Sequence, residues 1–241
     1  MEPFTIHYLF DHSLGDEFIS DLVKRCIKAG CTTTQNGRTD VCTYSSESKT
    51  VMGPDQQAQL ETALSQLDTD SYGEIFLWYD SLRIGIRKNI EYPIVPDVPR
   101  IGLSIESGGF KLSEDDERLR EKRALLDSYI DLAAIVAEHT NPVYGYGEID
   151  TYQAHPHQPE IDAVRRGEVS HLFWFNLFAE TMIERLGYYV LTDAQDNARA
   201  WRVKELETGS IVLVASDSFN RPTEGWRGNR EQLAEHLGIP T

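Results

Sequence analysis

The stretch YGEIFLWYDSLRIGIRKN, residues 72–89, decides the fold class of this chain. The runs on either side of Asp80–Ser81 are rich in isoleucine, leucine and aromatic residues, which favour β-strands. Two polar residues between two such runs predict a tight hairpin, and a hairpin makes its strands antiparallel. A sheet that contains this pair is not the purely parallel sheet of a strict strand–helix alternation.

The segments before the hairpin alternate between strand and helix patterns. Residues 3–10 predict a first strand, because apolar and polar positions alternate there. Residues 15–29 predict a helix, because apolar side chains recur every three or four positions and Gly30 follows. Residues 39–47 predict a further strand, and residues 53–68 predict a further helix.

The segments after the hairpin continue the mixture of strands and helices. Pro142 disfavours helical geometry in Asn141, so the longest predicted helix ends there. The predicted elements are a strand within 98–110, a helix over 113–140, a strand over 143–152, a hairpin around Thr208–Gly209 and a short helix from about Gln232.

The run SHLFWFNLFAETMIERLG, residues 170–187, leaves two structures open. HLFWFN fits a buried central strand, followed by a short helix that ends at Gly187. One buried helix over residues 172–186 fits the same apolar run, because periodicity does not distinguish the two. In either structure we expect Trp174 and Phe175 to lie in the core.

These elements predict an α+β fold, in which a mixed, largely antiparallel sheet packs against helices and the chain forms two similar halves. We expect residues 1–241 to form one domain, with the proline-rich stretch near 90–99 as the place for a sub-boundary.

The charge excludes some functions and leaves one question open. The chain has 39 acidic residues against 23 basic ones, a formal net charge of -16. No basic stripe is present, so we expect no nucleic-acid binding. The acidity has two explanations: adaptation to concentrated salt, as in halophiles, or a basic partner.

The sequence indicates neither a membrane location nor paired cysteines. No apolar run reaches the roughly 18 residues of a membrane-spanning helix, and the first residues lack the basic segment of a signal peptide. We therefore expect a cytoplasmic location. Cys26, Cys31 and Cys42 lack the spacing of a redox pair or a zinc ribbon, which predicts small buried thiols.

No complete catalytic motif is present, so we identify no catalytic residue and expect no cofactor. The densest set of functional side chains lies in residues 141–162. Tyr144, Tyr146, Glu148 and Asp150 alternate along a predicted strand, so they share one face of the sheet and form a candidate binding surface. The same pattern fits a strand with a purely structural role.

His155 and His157 are the candidate metal ligands in the same stretch. Separated by one residue, they lie on one side of an extended chain, where Glu160 or His171 would complete a site. Pro156 adds a second interpretation, a polar surface loop without metal.

Residues 142–214 carry a set of short motifs in a fixed order. These are Tyr146–Gly147, Trp174 with Asn176, Glu184–Arg185–Leu186–Gly187, and Trp201–Arg202 with Leu206, Gly209 and Val212. In this order they resemble a family of bacterial and archaeal proteins grouped with type VI secretion immunity proteins. The family often has Gly-Pro at the start of its short helix, where this chain has Phe178–Ala179. The resemblance implies a non-enzymatic protein that binds and blocks a toxin partner.

Two functions therefore stand side by side. The first is an immunity-type protein that neutralises a toxin. The second is a small-molecule or metal-dependent enzyme that uses the region from Tyr144 to Glu160.

Overall fold

The computed structural model describes residues 3–35, 38–39, 42–45, 49–51, 56–69, 73–88, 98–106, 116–149, 159–217 and 230–240. The strands are β1 (Pro3–Leu9), β2 (Thr34–Gln35), β3 (Arg38–Thr39), β4 (Cys42–Ser45), β5 (Lys49–Val51), β6 (Gly73–Tyr79), β7 (Leu82–Lys88), β8 (Arg100–Glu106), β9 (Tyr144–Ile149), β10 (Phe175–Phe178), β11 (Arg202–Glu205) and β12 (Ile211–Val214). The helices are α1 (Phe18–Lys28), α2 (Gln56–Thr69), α3 (Asp116–Thr140), α4 (Ile161–Arg165), α5 (Glu180–Leu186), α6 (Tyr188–Thr192), α7 (Ala194–Asn197) and α8 (Arg230–Leu237).

Ten of these strands form one open sheet in the order β11-β12-β10-β9-β1-β8-β7-β6-β4-β5. Every strand pair in the described part of the chain is antiparallel. The predicted α+β class is confirmed. The two strands on either side of the proline-rich stretch, β7 and β8, pair with each other in this sheet. Residues 89–97 lie outside the described ranges, so the sub-boundary and the single domain stay predictions.

The alternation of side chains along β1 separates two faces of the sheet. Phe4, Ile6 and Tyr8 point to what we call the first face, which helices α1, α2 and α3 cover. The odd-numbered residues between them point to the second face, on which helices α5 to α8 pack over β10, β11 and β12. Because β1 is buried on both faces, it forms the centre of the molecule.

The amphipathic helix α1 shows how the first face is filled. Its buried residues Ile19, Leu22, Val23 and Cys26 recur at intervals of three and four positions, which is one side of a helix. They join a continuous core with the first-face side chains of β1, β6, β7 and β8.

Two buried tyrosine hydroxyls join helix α3 to the sheet in opposite directions. Tyr8 of β1 donates to the carbonyl oxygen of Ala133 in α3 at 2.8 Å. Tyr129 of α3 donates to the carbonyl oxygen of Leu103 in β8. A buried hydroxyl needs such a partner, so the pair sets the position of α3 across the central strands.

Several local predictions are confirmed. The hairpin turns at Asp80, whose φ of 52° is the left-handed conformation that aspartate tolerates in a two-residue turn. The structure decides between the two alternatives left open for residues 170–187: strand β10 is followed by helix α5, and the strand lies at Phe175–Phe178, later than most of the HLFWFN segment. Trp174 and Phe175 are buried in the core. The sequence patterns missed the short elements β2, β3, β5, α4, α6 and α7.

The cysteine prediction is confirmed for the two described thiols, since Cys26 and Cys31 are free and buried. A hydrogen bond with Cys26, together with burial, raises the pKa of the Cys31 thiol far above its ordinary value. The side chain of Cys42 lies outside the described part. Among the helices in the described ranges, none combines the length and apolarity needed to cross a membrane.

Removing either tyrosine hydroxyl is expected to weaken the contact between α3 and the sheet. We expect Tyr8→Phe and Tyr129→Phe each to lower the free energy of unfolding by about 1 kcal/mol, because each leaves a buried contact without its hydrogen bond. Urea denaturation measures this change. Tyr189→Phe is the control, since its ring is 77% exposed. Equal stabilities in all three variants would contradict the role of the buried hydroxyls.

Stability is also expected to fall at alkaline pH. Burial raises the pKa of the Tyr8 phenol well above its ordinary value of 10.0. Above about pH 10 the unfolded chain loses this proton while the folded chain keeps it, so the stabilisation is present below that pH and is lost above it. Denaturation at pH 8 to 11 measures the slope. The free energy of unfolding of Tyr8→Phe is expected to decline less steeply with pH than that of the wild type. Parallel curves for the two proteins would contradict the contribution of the Tyr8 phenol.

Candidate binding site

Strand β9 places the predicted tyrosines on the second face. Tyr144 and Tyr146 lie side by side there, as the alternation predicted. Their rings are 1% and 2% exposed, so both belong to the second-face core. The backbone of Glu148 pairs with Thr5. The side chain of Glu148 and all of Asp150 lie outside the described part, and the role of the four residues stays a prediction.

Tyr146 stands in the middle of a row of rings. It stacks on His7 of β1, with ring centres 5.0 Å apart, and contacts Phe173 at 4.7 Å. Its neighbour Tyr144 lies 6.0 Å away in a stacked arrangement. The hydroxyl of Tyr144 lies 3.4 Å from the side-chain oxygen of Asn176. The row therefore joins β1, β9 and the segment that leads into β10.

The row continues to helix α8 through a histidine and an arginine. Phe173 meets the ring of His171 edge-on at 5.0 Å. Arg230 of α8 donates to Nε2 of His171, which makes Nε2 the nitrogen without a proton. Burial lowers the pKa of the Arg230 guanidinium from its ordinary value. This contact joins α8 to the sheet.

The buried side chain of Asn176 fixes the backbone just before β10 through two hydrogen bonds to Phe173. Its side-chain oxygen accepts from the backbone N–H of Phe173 at 3.1 Å, and its side-chain nitrogen donates to the carbonyl of Phe173 at 2.8 Å. An amide side chain can make this reciprocal pair because it carries both a donor and an acceptor. The Trp-x-Asn motif thus acts in folding, with Trp174 Nε1 donating to the carbonyl of Ser216 on the other side.

The glycines of β9 serve a close approach between strands. A Cβ atom on Gly147 would lie 2.8 Å from Cβ of Phe175 and 3.0 Å from the ring of Phe4. In the structure these glycines make room for the aromatic side chains of the neighbouring strands β1 and β10.

The predicted metal ligands are divided between described and undescribed residues. His155 and His157 lie outside the described part of the chain. Glu160 is exposed just before α4, whereas His171 is buried in the row of rings. Within the ranges that the structure describes, no three His, Cys, Asp or Glu side chains come together as metal ligands.

The second face over β6, β7 and β8 carries polar side chains that the patterns did not single out. Glu74 accepts from Arg87 Nε at 2.6 Å, and Ser104 contacts the same carboxylate at 3.3 Å. A Cβ atom on Gly85 would lie 2.4 Å from Glu74 Oε1, so the glycine leaves space for that carboxylate. This cross-strand cluster pairs its own charges and needs no ligand.

An acidic cleft of about 620 Å³ lies between α1 and α2. Four carboxylates line it against one cation, Lys24; they belong to Asp16, Glu17, Glu61 and Asp68. The backbone N–H of Ser20 donates to Asp68 at 3.2 Å. The cleft can accept a basic group. The sequence did not reveal it, because its carboxylates come from the residues just before α1 and from α2, 44 to 52 positions apart in the chain.

The comparisons with known proteins give a similarity in fold and none in sequence family. No family model matches this chain, and no curated protein matches it in sequence. Among solved structures, it is similar to the Pseudomonas aeruginosa T6SS (type VI secretion system) protein PA0821, with a TM-score of 0.54 and 12% identity. The similarity covers 98% of this chain and 72% of that one, far beyond residues 142–214. At this identity, the likeness establishes a shared fold.

Truncation of Tyr146 is expected to be strongly destabilising. Tyr146→Ala removes a ring that touches three others in a buried core, which costs about 3–5 kcal/mol of unfolding free energy. Tyr144→Phe keeps its ring, so it should cost less than Tyr146→Ala, about 1 kcal/mol for the loss of the hydroxyl that lies 3.4 Å from Asn176. Chemical denaturation of both variants compares the two effects. A Tyr146→Ala variant as stable as Tyr144→Phe would place the ring row outside the core.

Proposed function

We propose that this protein is a non-enzymatic, protein-binding protein of the immunity type that neutralises a toxin partner. The observation that carries the proposal is the likeness in fold to a T6SS protein over 98% of the chain. The motifs of residues 142–214 support a relation to type VI secretion independently, since that resemblance comes from the residues and not from the fold.

The charge supports a basic partner. A net charge of -16 attracts a basic protein over several ångströms and accelerates association at low salt. Toxin active sites that act on nucleic acids or phosphates are basic as a class, because their substrates are anionic. The acidic cleft between α1 and α2 adds to this field. Adaptation to concentrated salt would produce the same acidity without a partner.

The positions of the described chemistry also favour binding over catalysis. The side chains of Tyr144, Tyr146 and His171 are buried and contact other core residues. Glu74 and Arg87 form an ion pair with each other. An acid–base catalyst must instead reach a substrate within hydrogen-bond distance.

Co-expression tests the proposal directly. The probe is the protein encoded by the reading frame next to this gene, expressed in a bacterial host with and without this chain. We expect that protein alone to stop growth and this chain to restore it. The purified pair should form an equimolar complex whose association rate falls about tenfold or more between low and physiological salt.

Metal analysis of the purified protein separates the proposal from the enzymatic alternative. Stoichiometric zinc or manganese that disappears in a His155→Ala/His157→Ala variant would support a metal-dependent enzyme. Growth that stays arrested despite soluble expression of this chain would contradict the immunity function.

A further inference from the structure

We propose that the outer edge of β11, together with Tyr188 and Tyr189 of α6, is a docking surface for an extended, basic segment of a partner protein. The segment adds to the sheet as an eleventh strand. The inference rests on the proposed function, because it specifies where an immunity-type protein would hold its protein partner and by which chemistry.

The first observation is a row of main-chain groups that point away from the sheet. β11 is the last strand of the sheet on its side. The N–H of Leu206 donates to the carbonyl of Ser210 at 2.8 Å, so Leu206 and Ser210 form a hydrogen-bonded pair. Every second residue from there, Lys204 opposite Val212 and Arg202 opposite Val214, occupies the same kind of position. Hydrogen-bonded pairs alternate with non-bonded ones in an antiparallel ladder, so the intervening Val203 and Glu205 turn their N–H and C=O groups outward.

These outward groups form a template for another strand. Outside the ladder between β11 and β12, no backbone group in the described ranges bonds to the N–H or C=O of Val203 or Glu205. Unpaired edge groups of this kind bind extended peptides by strand addition, in which main-chain hydrogen bonds supply affinity.

The second observation is a pair of exposed aromatic rings beside this edge. Tyr188 and Tyr189 are 42% and 77% exposed, the large hydrophobic side chains that the described part of the chain leaves in solvent. Their rings meet edge-on with centres 5.4 Å apart. Tyr188 donates to Glu205 Oε2 at 2.8 Å, which holds this ring against β11. Tyrosine is enriched among the residues that dominate binding energy in protein interfaces.

The charges around the edge select the chemistry of the partner. Arg202 and Lys204 turn to the first face, where they pair with Asp127 and Asp131 of α3. The exposed charged side chains on residues 193–207 are two basic ones, Arg199 and Lys204, and four acidic ones, Asp193, Asp196, Glu205 and Glu207. Lys204 is already paired with Asp131, so the acidic side chains dominate the charge that remains at this edge. A strand that carries lysine or arginine therefore fits this edge, and an acidic strand is repelled.

A second copy of this chain fits the edge less well. Antiparallel pairing of two β11 strands would bring the Glu205 carboxylates and the acidic α7 helices of both copies together, in molecules that each carry -16. Like charges across a strand pair are destabilising. The proposal therefore commits to a basic partner segment.

The test selects peptides without knowledge of the natural partner. A random 12-residue peptide library displayed on phage is selected against the wild-type protein at low salt. We expect enrichment of sequences that combine lysine or arginine with β-branched residues. A synthetic peptide of the selected sequence is then titrated against variants by isothermal calorimetry.

The matched variants at residue 203 differ in one outward N–H group. Val203→Pro removes it, and proline is tolerated at an edge strand where the N–H faces solvent. Val203→Ala keeps it. We expect Val203→Pro to weaken peptide binding about tenfold or more and Val203→Ala to change it less than about threefold. Circular dichroism and thermal melting of both variants check that the fold is kept.

Two further measurements do not depend on the proline variant. In the wild-type complex, the amides of Val203 and Glu205 should gain protection from hydrogen exchange. Glu205→Gln/Glu207→Gln should weaken binding, whereas Asp21→Asn/Glu121→Gln, an equal change of charge at exposed positions of α1 and α3, should not. Tyr188→Ala/Tyr189→Ala should also weaken binding, because both rings are exposed and their loss leaves the core intact.

Some results would overturn the docking surface. The first is a peptide selection that enriches no basic sequences, and the second is peptide binding that survives in both Val203→Pro and Tyr188→Ala/Tyr189→Ala. The third is protection from hydrogen exchange only in strands other than β11. The fourth is a wild-type dimer that Val203→Pro abolishes. Neutralisation of the toxin by an intact Val203→Pro variant would overturn the edge and keep the immunity function. Peptide binding at the edge by a protein that does not neutralise the toxin would support the docking surface and contradict the immunity function.

Discussion

Strand β1 is the constraint on which the rest of the structure depends, because it is bonded on both edges and covered on both faces. It pairs with β8 through seven residues and with β9 through six, and six of its seven side chains are buried. A strand in this position needs one apolar cover for its even-numbered residues and another for its odd-numbered ones. Helices α1 to α3 supply the first, and the row of rings around Tyr146 begins the second. The tyrosine hydroxyls of β1 and α3 then hold the first cover in register with the strand.

The two covers differ in kind, and the difference bears on function. The first face is packed by long amphipathic helices along much of the sheet, whereas the second face is packed by short helices over β10 to β12. Short helices leave many side chains at their ends in solvent, which is how α6 presents two tyrosines beside an unpaired edge. Acidic side chains surround that edge because the basic residues of β11 are used against α3 on the opposite face. A structural requirement of one face thus sets the charge of the surface that remains.

Much of the fold was predictable from local patterns. The hairpin at Asp80–Ser81 and the helices α1, α2 and α3 follow from periodicity, turn residues and helix ends. The structure had to decide between the strand and the helix that residues 170–187 allowed. The short helices α4, α6 and α7 did not follow, since four or five residues carry too little periodicity to distinguish a helix from a turn. For the candidate site, the sequence placed Tyr144 and Tyr146 on one face of a strand, and the structure places them there. It could not indicate that α8 and residues 171–173 lie against that face, because those contacts join positions 27 and 59 residues apart.

The sequence by itself determined the class of the fold, the identity of its longer elements, the acidity of the molecule and the motifs of residues 142–214. These properties are local or additive: a period, a turn residue or a charge is read without knowing what packs against it. Only the tertiary structure decided the order of the ten strands, the burial of the tyrosines of β9, and the exposure of Tyr188 and Tyr189 beside the edge of β11. Burial and edge position depend on which distant segments come together, and that is decided by the packing of complementary surfaces, which no single segment contains.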